Sequence, residues 1–230
     1  MNAPAAWREF ADAATLAEAL ADVVADELRE AIAMRGHAAL ALSGGTTPRA
    51  FLRALGLRRL DWAKVTVTLA DERWVAAGDA RSNQRLLRET LFEGAAAAAR
   101  FVPLHRDVAT PEDAAAKVDA CIARIGLPFD VVVLGMGLDG HTASLFADGD
   151  RIVAALDARA TSYVSPMRSA SAGEPRMTLT LPALVATRHL HLHVEGIDKR
   201  RVLESPHFAR SPLGHVCAAA TAPVDIYWSP

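Results

Sequence analysis

The sequence predicts an α/β protein in which helices cover both faces of a mostly parallel β-sheet. Short apolar runs typical of buried strands alternate along the chain with segments whose apolar residues recur at helical spacing. Four of these runs pass directly into turns that are rich in glycine or in charged residues. Because parallel strands end at the same edge of a sheet, the four turns are expected to converge there.

Length and composition limit the class of protein. The chain has 230 residues, of which 51% are apolar, and this is enough to bury one sizeable core. Its net charge of −2 gives no strong attraction to nucleic acid or to an anionic membrane, so any anion site must be local. The two cysteines are far apart and lack metal-type spacing, and we expect them to be reduced.

Targeting signals are not evident in the sequence. Residues 1–10 lack the basic-then-apolar layout of a signal peptide, and no stretch approaches the roughly 20 apolar residues of a membrane helix. We therefore expect a soluble, cytoplasmic protein without a nucleic-acid or membrane partner. No linker-like stretch divides the chain, so one domain over residues 1–230 is the simplest expectation.

The first half of the chain predicts two strands and two helical segments. Residues 7–35 carry apolar positions at helical spacing and predict one long helix or two in series. Residues 37–42 form an apolar run stopped by glycines, which predicts a strand. A helix is expected over residues 48–55, with Pro48 near its first turn, where a missing N–H costs nothing. Residues 65–69 alternate and predict the second strand.

The remaining elements continue the alternation. Residues 82–92 predict a helix capped by Ser82, residues 101–104 a short strand, and residues 111–125 an amphipathic helix. The apolar run 131–134 predicts a fully buried strand. The later candidates are strands at 162–165, 189–194 and 225–228, helices at 182–186, 198–203 and 212–220, and surface loops or helix ends at 94–100 and 168–176.

The turn after the first strand predicts an anion site. It contains Ser43, Gly44, Gly45 and Thr46 just before a helix. Successive backbone N–H groups at a helix N-terminus bind phosphate or carboxylate, and the hydroxyl groups add donors. The lysine of a Walker-type loop is absent, which favours a sugar phosphate over a nucleoside triphosphate. The alternative is an ordinary strand-to-helix turn with a threonine cap.

Two further turns supply candidate cations. Asp71 and Arg73 follow the second strand, and the planar guanidinium of Arg73 is suited to clamping phosphate. The alternative is a surface ion pair of little energetic worth. Lys199 follows the strand predicted at 189–194 and offers a second cation, although a solvated lysine in a first helical turn explains it as well.

The turn after the buried strand 131–134 carries the main catalytic candidate. Gly137 and Asp139 precede His141, and residues 142–144 look like the start of a helix. An imidazole transfers protons near neutral pH, and Asp139 would orient it or contact the substrate. Backbone N–H groups of this turn are candidates to stabilise an oxyanion. The alternatives are a helix cap or a histidine hydrogen-bonded into the core.

Three further histidines alternate along one predicted strand. His189, His191 and His193 share a face, so a metal site is conceivable. The pattern lacks an accompanying carboxylate, and solvent-facing or partly buried histidines explain it equally well. No metal site is predicted.

Five motifs together resemble the glucosamine-6-phosphate isomerase/6-phosphogluconolactonase family. The resemblance runs nearly end to end and implies a three-layer α/β/α sandwich with a Rossmann-like sheet, one domain and no cofactor. The motifs are LSGGTTPRAF (42–51), DERWV (71–75) with SNQRLLRETL (82–91), LGMGLDGHTASLF (134–146), RMTLTLPAL (176–184) and EGIDK (195–199).

The resemblance also implies an activity and a set of site residues. The implied reaction is hydrolysis of 6-phospho-D-glucono-1,5-lactone to 6-phosphogluconate, a step of the oxidative pentose phosphate pathway. His141 matches the family's proposed general base, with Asp139 beside it, while the roles of Arg168 and Arg176 stay unassigned. The implied substrate-binding residues are Ser43, Gly44, Gly45, Thr46, Asp71, Arg73, Gly137 and Lys199.

Two other functions stay open. In the related glucosamine-6-phosphate deaminases, the histidine is followed by a segment with a carboxylate, whereas residues 142–146 contain no acid here. Asp71 nevertheless matches the proton-abstracting aspartate of that enzyme. A non-catalytic sugar-phosphate sensor is the second alternative, but such sensors attach a DNA-binding unit and no separate basic segment precedes Trp7. A monomer or a weak homo-oligomer is expected.

Overall fold

The structure, a computed structural model, describes residues 6–230. The expectation about a signal peptide in residues 1–10 therefore falls partly outside the described residues. None of the described helices is both long and apolar enough to cross a bilayer.

A seven-stranded sheet forms the centre of the molecule, and every neighbouring pair in it is parallel. Its strands are β1 (Ala6–Glu9), β2 (Ala38–Leu42), β3 (Val65–Leu69), β5 (Arg100–Val102), β6 (Phe129–Leu134), β9 (Thr187–Glu195) and β10 (Val224–Ser229). Their order across the sheet is β1-β10-β9-β6-β2-β3-β5. The prediction of an α/β fold with a mostly parallel sheet is confirmed.

A second sheet of three antiparallel strands lies beyond the carboxyl end of β3. It contains β4 (Asp71–Arg73), β8 (Arg176–Leu179) and β7 (Val164–Met167), in that order. The strand predicted at 162–165 is thus β7 of this small sheet. The loop predicted at 168–176 ends one residue early, because Arg176 pairs with Arg73 and begins β8.

Eight α-helices surround the sheets within the described residues. They are α1 (Ala13–Arg35), α2 (Arg49–Gly56), α3 (Asn83–Arg88), α4 (Pro111–Ala123), α5 (Ile152–Ala155), α6 (Leu181–Val185), α7 (Ile197–Glu204) and α8 (Pro212–Ala219). Ser82 caps α3 as predicted, since its Oγ accepts a hydrogen bond from Arg85 N. That helix ends at Arg88 and continues as turns, so the helix predicted over 82–92 is too long.

The core is formed by the central strands together with the apolar residues of the surrounding helices, among them α1. All residues of β2 and β6 are buried, as expected for strands covered on both faces. Helix α1 buries residues spaced four apart, which form one apolar stripe. These residues are Leu16, Leu20, Val24 and Leu28. Gly36 ends α1 in the left-handed conformation at φ 79°, which glycine adopts without steric cost.

Two further local predictions are wrong. Residues 7–9, which were predicted as helix, belong to the edge strand β1, because β10 offers them a parallel ladder that a local sequence window does not show. Helix α1 begins only after Asp12, whose Oδ1 accepts a hydrogen bond from Thr15 N. Residues 142–144 do not start a helix, since Ala143 has φ 50° and the next helix is α5.

Glu27 on α1 contacts two of the three alternating histidines of β9. Its carboxylate lies 2.8 Å from His191 Nε2 and 3.1 Å from His189 Nδ1. No group of three or more histidine, cysteine, aspartate or glutamate side chains in residues 6–230 is placed so that it could hold a metal ion. His189 and His191 therefore connect β9 to α1 through Glu27.

This cluster predicts a pH-dependent stability. The hydrogen bond to Glu27 raises the pKa of His189 above its usual value. The stabilisation is therefore complete below about pH 6.5, the pKa expected in the unfolded chain, and is lost as pH rises through the folded-state pKa. The His189 side chain is 42% exposed, so solvent screening keeps the effect below about 1 kcal/mol. Urea unfolding between pH 6 and 8 should show this slope, and His189→Gln should remove it. An unchanged slope in the variant would contradict the assignment.

Candidate active site

One pocket of about 200 Å³ lies at the carboxyl edge of the parallel sheet. It is lined by every predicted site residue except Asp139, which contacts the lining residue His141. The four predicted turns therefore do converge at one edge. They come together because β2, β3, β6 and β9 run in the same direction in the sheet.

The turn between β2 and α2 has the geometry of an anion cradle. Within the described residues, no hydrogen bond takes up the backbone N–H groups of Gly44, Gly45 or Thr46. Gly45 has φ 98°, in the left-handed region that favours glycine. The Oγ of Ser43 is buried and has no hydrogen-bond partner in the part of the chain that the structure describes. Free donors in a concave turn are suited to an anionic oxygen.

Asn83 at the start of α3 packs against this turn. A Cβ at Gly44 would lie 2.0 Å from Asn83 Oδ1, so only glycine permits the approach. Asn83 Nδ2 also donates to the backbone oxygen of Asp71 at 2.9 Å. Asn83 lines the pocket and was not among the residues predicted from sequence.

Glu72 holds Asn83 in place. The side chain is fully buried and accepts hydrogen bonds from the backbone N–H groups of Arg73, Asn83 and Gln84 at 2.7–2.8 Å. Burial raises the pKa of its carboxyl group despite these donors. No local sequence signal distinguished Glu72 from a solvated acid, because two of its three donors, Asn83 and Gln84, lie 11 and 12 residues further along the chain.

Two arginines form one wall of the pocket. Arg73 and Arg176 face each other in the β4–β8 ladder. The Nε atom of each is buried and has no hydrogen-bond partner within the described residues. The Arg176 guanidinium lies 5.6 Å from the ring centroid of Phe146 and 3.8 Å from Asp71 Oδ2. Burial lowers the pKa of Arg176, although an arginine still keeps its charge near neutral pH.

A lysine supplies the third cation. Lys199, in the first turn of α7, places Nζ 3.4 Å from Thr47 Oγ1, and burial lowers the pKa of its amino group. Among the residues that line the pocket, three cations thus accompany one carboxylate, that of Asp71. Arg168 does not line the pocket, and its Nη2 donates instead to Glu112 at 2.9 Å.

His141 is oriented by Asp139. Its Nδ1 lies 2.5 Å from Asp139 Oδ1, which also accepts the backbone N–H of His141 at 3.2 Å. A carboxylate at Nδ1 favours the tautomer in which Nδ1 carries the proton and Nε2 has a free lone pair. The ring packs 4.4 Å from the ring of Phe146, centroid to centroid, and is 29% exposed.

The turn that carries His141 uses some of its own N–H groups. Gly137 N donates to His141 O and Gly140 N donates to Gly137 O, both at 3.0 Å. These two groups are therefore not available to an oxyanion, which corrects part of the prediction made for this turn. They hold the turn closed and so fix the backbone at His141.

Gly137 leaves room for the imidazole. A Cβ at this position would lie 2.2 Å from His141 Cε1 and 2.3 Å from His141 Nδ1. We expect Gly137→Ala to displace the ring and lower kcat about 100-fold, since a shift of an ångström misaligns a catalytic group. Steady-state kinetics would measure this, with Gly78→Ala as the control because a Cβ there meets nothing within 4 Å. Wild-type turnover in Gly137→Ala would show that the ring position does not matter.

Asp71 lies in the pocket wall rather than at the surface. It is 5% exposed, and its Oδ2 accepts a hydrogen bond from Ser144 Oγ at 2.5 Å. Asp71, Ser144 and Arg176 thus form a buried polar group beside the pocket. The alternative of a surface ion pair at this turn does not apply.

The fold and the pocket define a Rossmann-like α/β protein with an anion cradle and an oriented histidine at the carboxyl edge of its sheet. The sequence profile described as glucosamine-6-phosphate isomerases/6-phosphogluconolactonase matches residues 11–224. The chain belongs to this family, as its motifs predicted.

Curated relatives and a solved structure are similar over nearly the whole chain. The 6-phosphogluconolactonase of Mesorhizobium japonicum is 48% identical over 97% of this chain and 95% of its own length. That of Rhizobium meliloti is 49% identical over 96% of this chain and 97% of its own length. The crystal structure of a 6-phosphogluconolactonase from Shewanella baltica has a TM-score of 0.93 and 36% identity, and covers 98% of both chains.

Proposed function

We propose that this protein is a lactone hydrolase that converts 6-phospho-D-glucono-1,5-lactone to 6-phosphogluconate. The activity named for the relatives, which are up to 49% identical, agrees with the sequence prediction. The observation that carries the proposal is that one pocket holds both an oriented imidazole and an anion cradle with three cations. Such a site fits a substrate that is anionic at one end and hydrolysable at the other.

The anionic end of the substrate is the 6-phosphate. The free N–H groups of the 44–46 turn and the side chains of Arg73, Arg176 and Lys199 would surround its oxygens. Charge-assisted hydrogen bonds of this kind are the strong ones in protein sites. Binding the remote phosphate would hold the lactone carbonyl in place for reaction.

His141 acts as the general base. Its Nε2 removes a proton from water as the water oxygen attacks C1, and a tetrahedral intermediate forms. The intermediate collapses with cleavage of the bond between C1 and the ring oxygen, and the imidazolium returns the proton to that oxygen. Asp139 at Nδ1 stabilises the transient imidazolium.

A covalent serine intermediate is not needed in this scheme. The lactone carbonyl is already electrophilic, so activated water suffices. Ser144 is buried and its Oγ donates to Asp71, so the hydroxyl is engaged away from His141.

The test is hydrolysis of freshly prepared 6-phosphogluconolactone, coupled to 6-phosphogluconate dehydrogenase, with the spontaneous opening subtracted. A rate far above background is expected. A wild-type rate at background would refute the proposal. The buried carboxylate of Asp71 favours glucosamine-6-phosphate deamination as the second candidate, so ammonia release is measured in parallel. We expect none, because the lining residues include no second carboxylate to help open the sugar ring.

A further inference from the structure

His193 is a pocket residue with an unused nitrogen. It lies near the end of β9, is 2% exposed, and lines the pocket together with Thr47, Phe51 and Lys199. Its Nδ1 is buried and has no hydrogen-bond partner among residues 6–230. His189 and His191, on the same strand, do not line this pocket. A buried ring nitrogen without a partner is costly unless a ligand or water satisfies it.

The other ring nitrogen is already committed. His193 Nε2 lies 3.0 Å from Glu195 Oε1. A carboxylate accepts hydrogen bonds, so Nε2 carries a hydrogen, and Nδ1 of the neutral ring has only a lone pair. Nδ1 therefore becomes a donor only when the ring takes up a second proton.

The position of His193 assigns it to the phosphate end of the pocket. Its ring meets the ring of Phe51 edge-on, with centroids 5.9 Å apart. Phe51 belongs to the first turn of α2, which directly follows the anion cradle. Thr47, in the same connection, contacts Lys199 Nζ at 3.4 Å. The pocket residues named with His193 therefore belong to the cradle-to-helix connection, to the start of α2, or contact that connection.

We propose that His193, oriented by Glu195, is a proton-linked ligand of the substrate phosphate. This inference rests on the proposed function, because it takes the pocket's anion to be a phosphate ester. A phosphate dianion has only acceptor oxygens, so it cannot bond to a bare lone pair. Binding therefore takes one proton from solvent, which is shared between Nδ1 and a phosphate oxygen. Either protonated form, imidazolium with dianion or imidazole with monoanion, makes the same hydrogen bond.

The groups packed around the His193 ring come from several elements. Of the charged ones, Glu195 is bonded to Nε2 and Lys199 lines the same pocket. From α2 the ring meets the uncharged Phe51, and on β10 its register partner is Tyr227. On β9, His191 on the same face is engaged by Glu27 of α1.

The proposal predicts how affinity depends on pH. Phosphate monoesters have a second pKa of about 6. Well above this value, affinity should fall by up to about tenfold per pH unit, because the shared proton becomes scarce. Uncharged lactones that lack phosphate should show no such dependence through His193.

The experiment is isothermal titration calorimetry of the full chain with 6-phosphogluconate and with inorganic phosphate, at pH 7 for affinity and at pH 8 for proton uptake. Titrations in HEPES and in Tris, which differ in ionisation enthalpy, report the protons taken up. We expect net uptake in the wild type. In His193→Gln, the amide can still bond to Glu195, but no nitrogen remains at the position of Nδ1. Proton uptake should therefore vanish, and affinity for the phosphorylated ligand near pH 7 should fall about tenfold.

Controls separate a ligand from a structural residue. His189→Gln changes a histidine of the same strand that does not line the pocket, and its ligand binding should match the wild type. His193→Asn restores a polar atom near Nδ1 and should recover affinity without proton uptake. Thermal melting checks that each variant is folded.

Several outcomes would overturn the inference. Wild-type binding without proton uptake, or His193→Gln with unchanged affinity and uptake, would show that Nδ1 does not meet the phosphate and is satisfied by water. An equal loss for unphosphorylated gluconate would assign His193 to a sugar hydroxyl. Proton-linked phosphate binding by a protein without lactonase activity would uphold this site and refute the proposed function instead.

Discussion

Replacing His141 by glutamine is expected to lower kcat about 10²–10⁴-fold and to leave KM for the phosphorylated lactone nearly unchanged. The reason is that His141 Nε2 carries the proton in the transition state, whereas the ground-state contacts of the substrate are made by the cradle and the cations. Rapid coupled assays of wild type and variant, corrected for spontaneous lactone opening, measure both parameters.

Two variants sharpen this test. Asp139→Asn should also lower kcat, because an amide neither fixes the tautomer of His141 nor stabilises its protonated form. His189→Gln alters a histidine outside the pocket and should retain full turnover. A His141→Gln enzyme with near-normal kcat would exclude the base assignment, and a pure rise in KM would make His141 a binding residue.

Replacing Arg176 by glutamine is expected to raise KM for the phosphorylated lactone about 10–100-fold, the usual loss for a hydrogen bond to a charged group. Arg176 is 9% exposed and lies in the same pocket wall as Arg73, its partner in the β4–β8 ladder. Its Nε has no hydrogen-bond partner among residues 6–230. The value of kcat/KM for unphosphorylated glucono-1,5-lactone should change little, since that substrate has no anion for the arginine to bind. Steady-state kinetics with both lactones measures the difference.

The chain offers a matched control for this variant. Arg168→Gln removes another arginine whose role the sequence left open, but Arg168 bonds to Glu112 away from the pocket. We expect its KM to equal that of the wild type. Equal losses for both lactones in Arg176→Gln would instead indicate a structural role, because Arg176 also lies 3.8 Å from the buried Asp71.

The sequence predicted those parts of the site that lie in continuous motifs. The 43–46 turn, Arg73, His141 and Lys199 each follow a strand, and strand ends of a parallel sheet share an edge. Direction alone therefore brings the four turns together. Local periodicity also predicted most helices and the buried strands β2 and β6, since their apolar patterns are strong.

Contacts between distant segments account for what was missed. Glu72 and Asn83 lie in two of the motifs, but the contacts by which they support the cradle join separate elements, so the sequence assigned them no role. Residues Ala6–Glu9 became a strand because β10 pairs with them more than 200 positions later in the chain. The sequence did not distinguish the roles of Arg168 and Arg176, because the difference lies in their partners in the folded chain.

Short-range patterns and the order of the motifs were sufficient to predict the fold class, the family and the types of residue at the pocket. Which side chains are desolvated, and which nitrogen of a histidine has a partner, depends on three-dimensional packing. For His193, the contact of Nε2 with Glu195 and the burial of Nδ1 without a partner among residues 6–230 follow from packing against Glu195 and Phe51. Burial and hydrogen-bond partners are properties of the packed chain, since they depend on atoms that sequence distance does not relate.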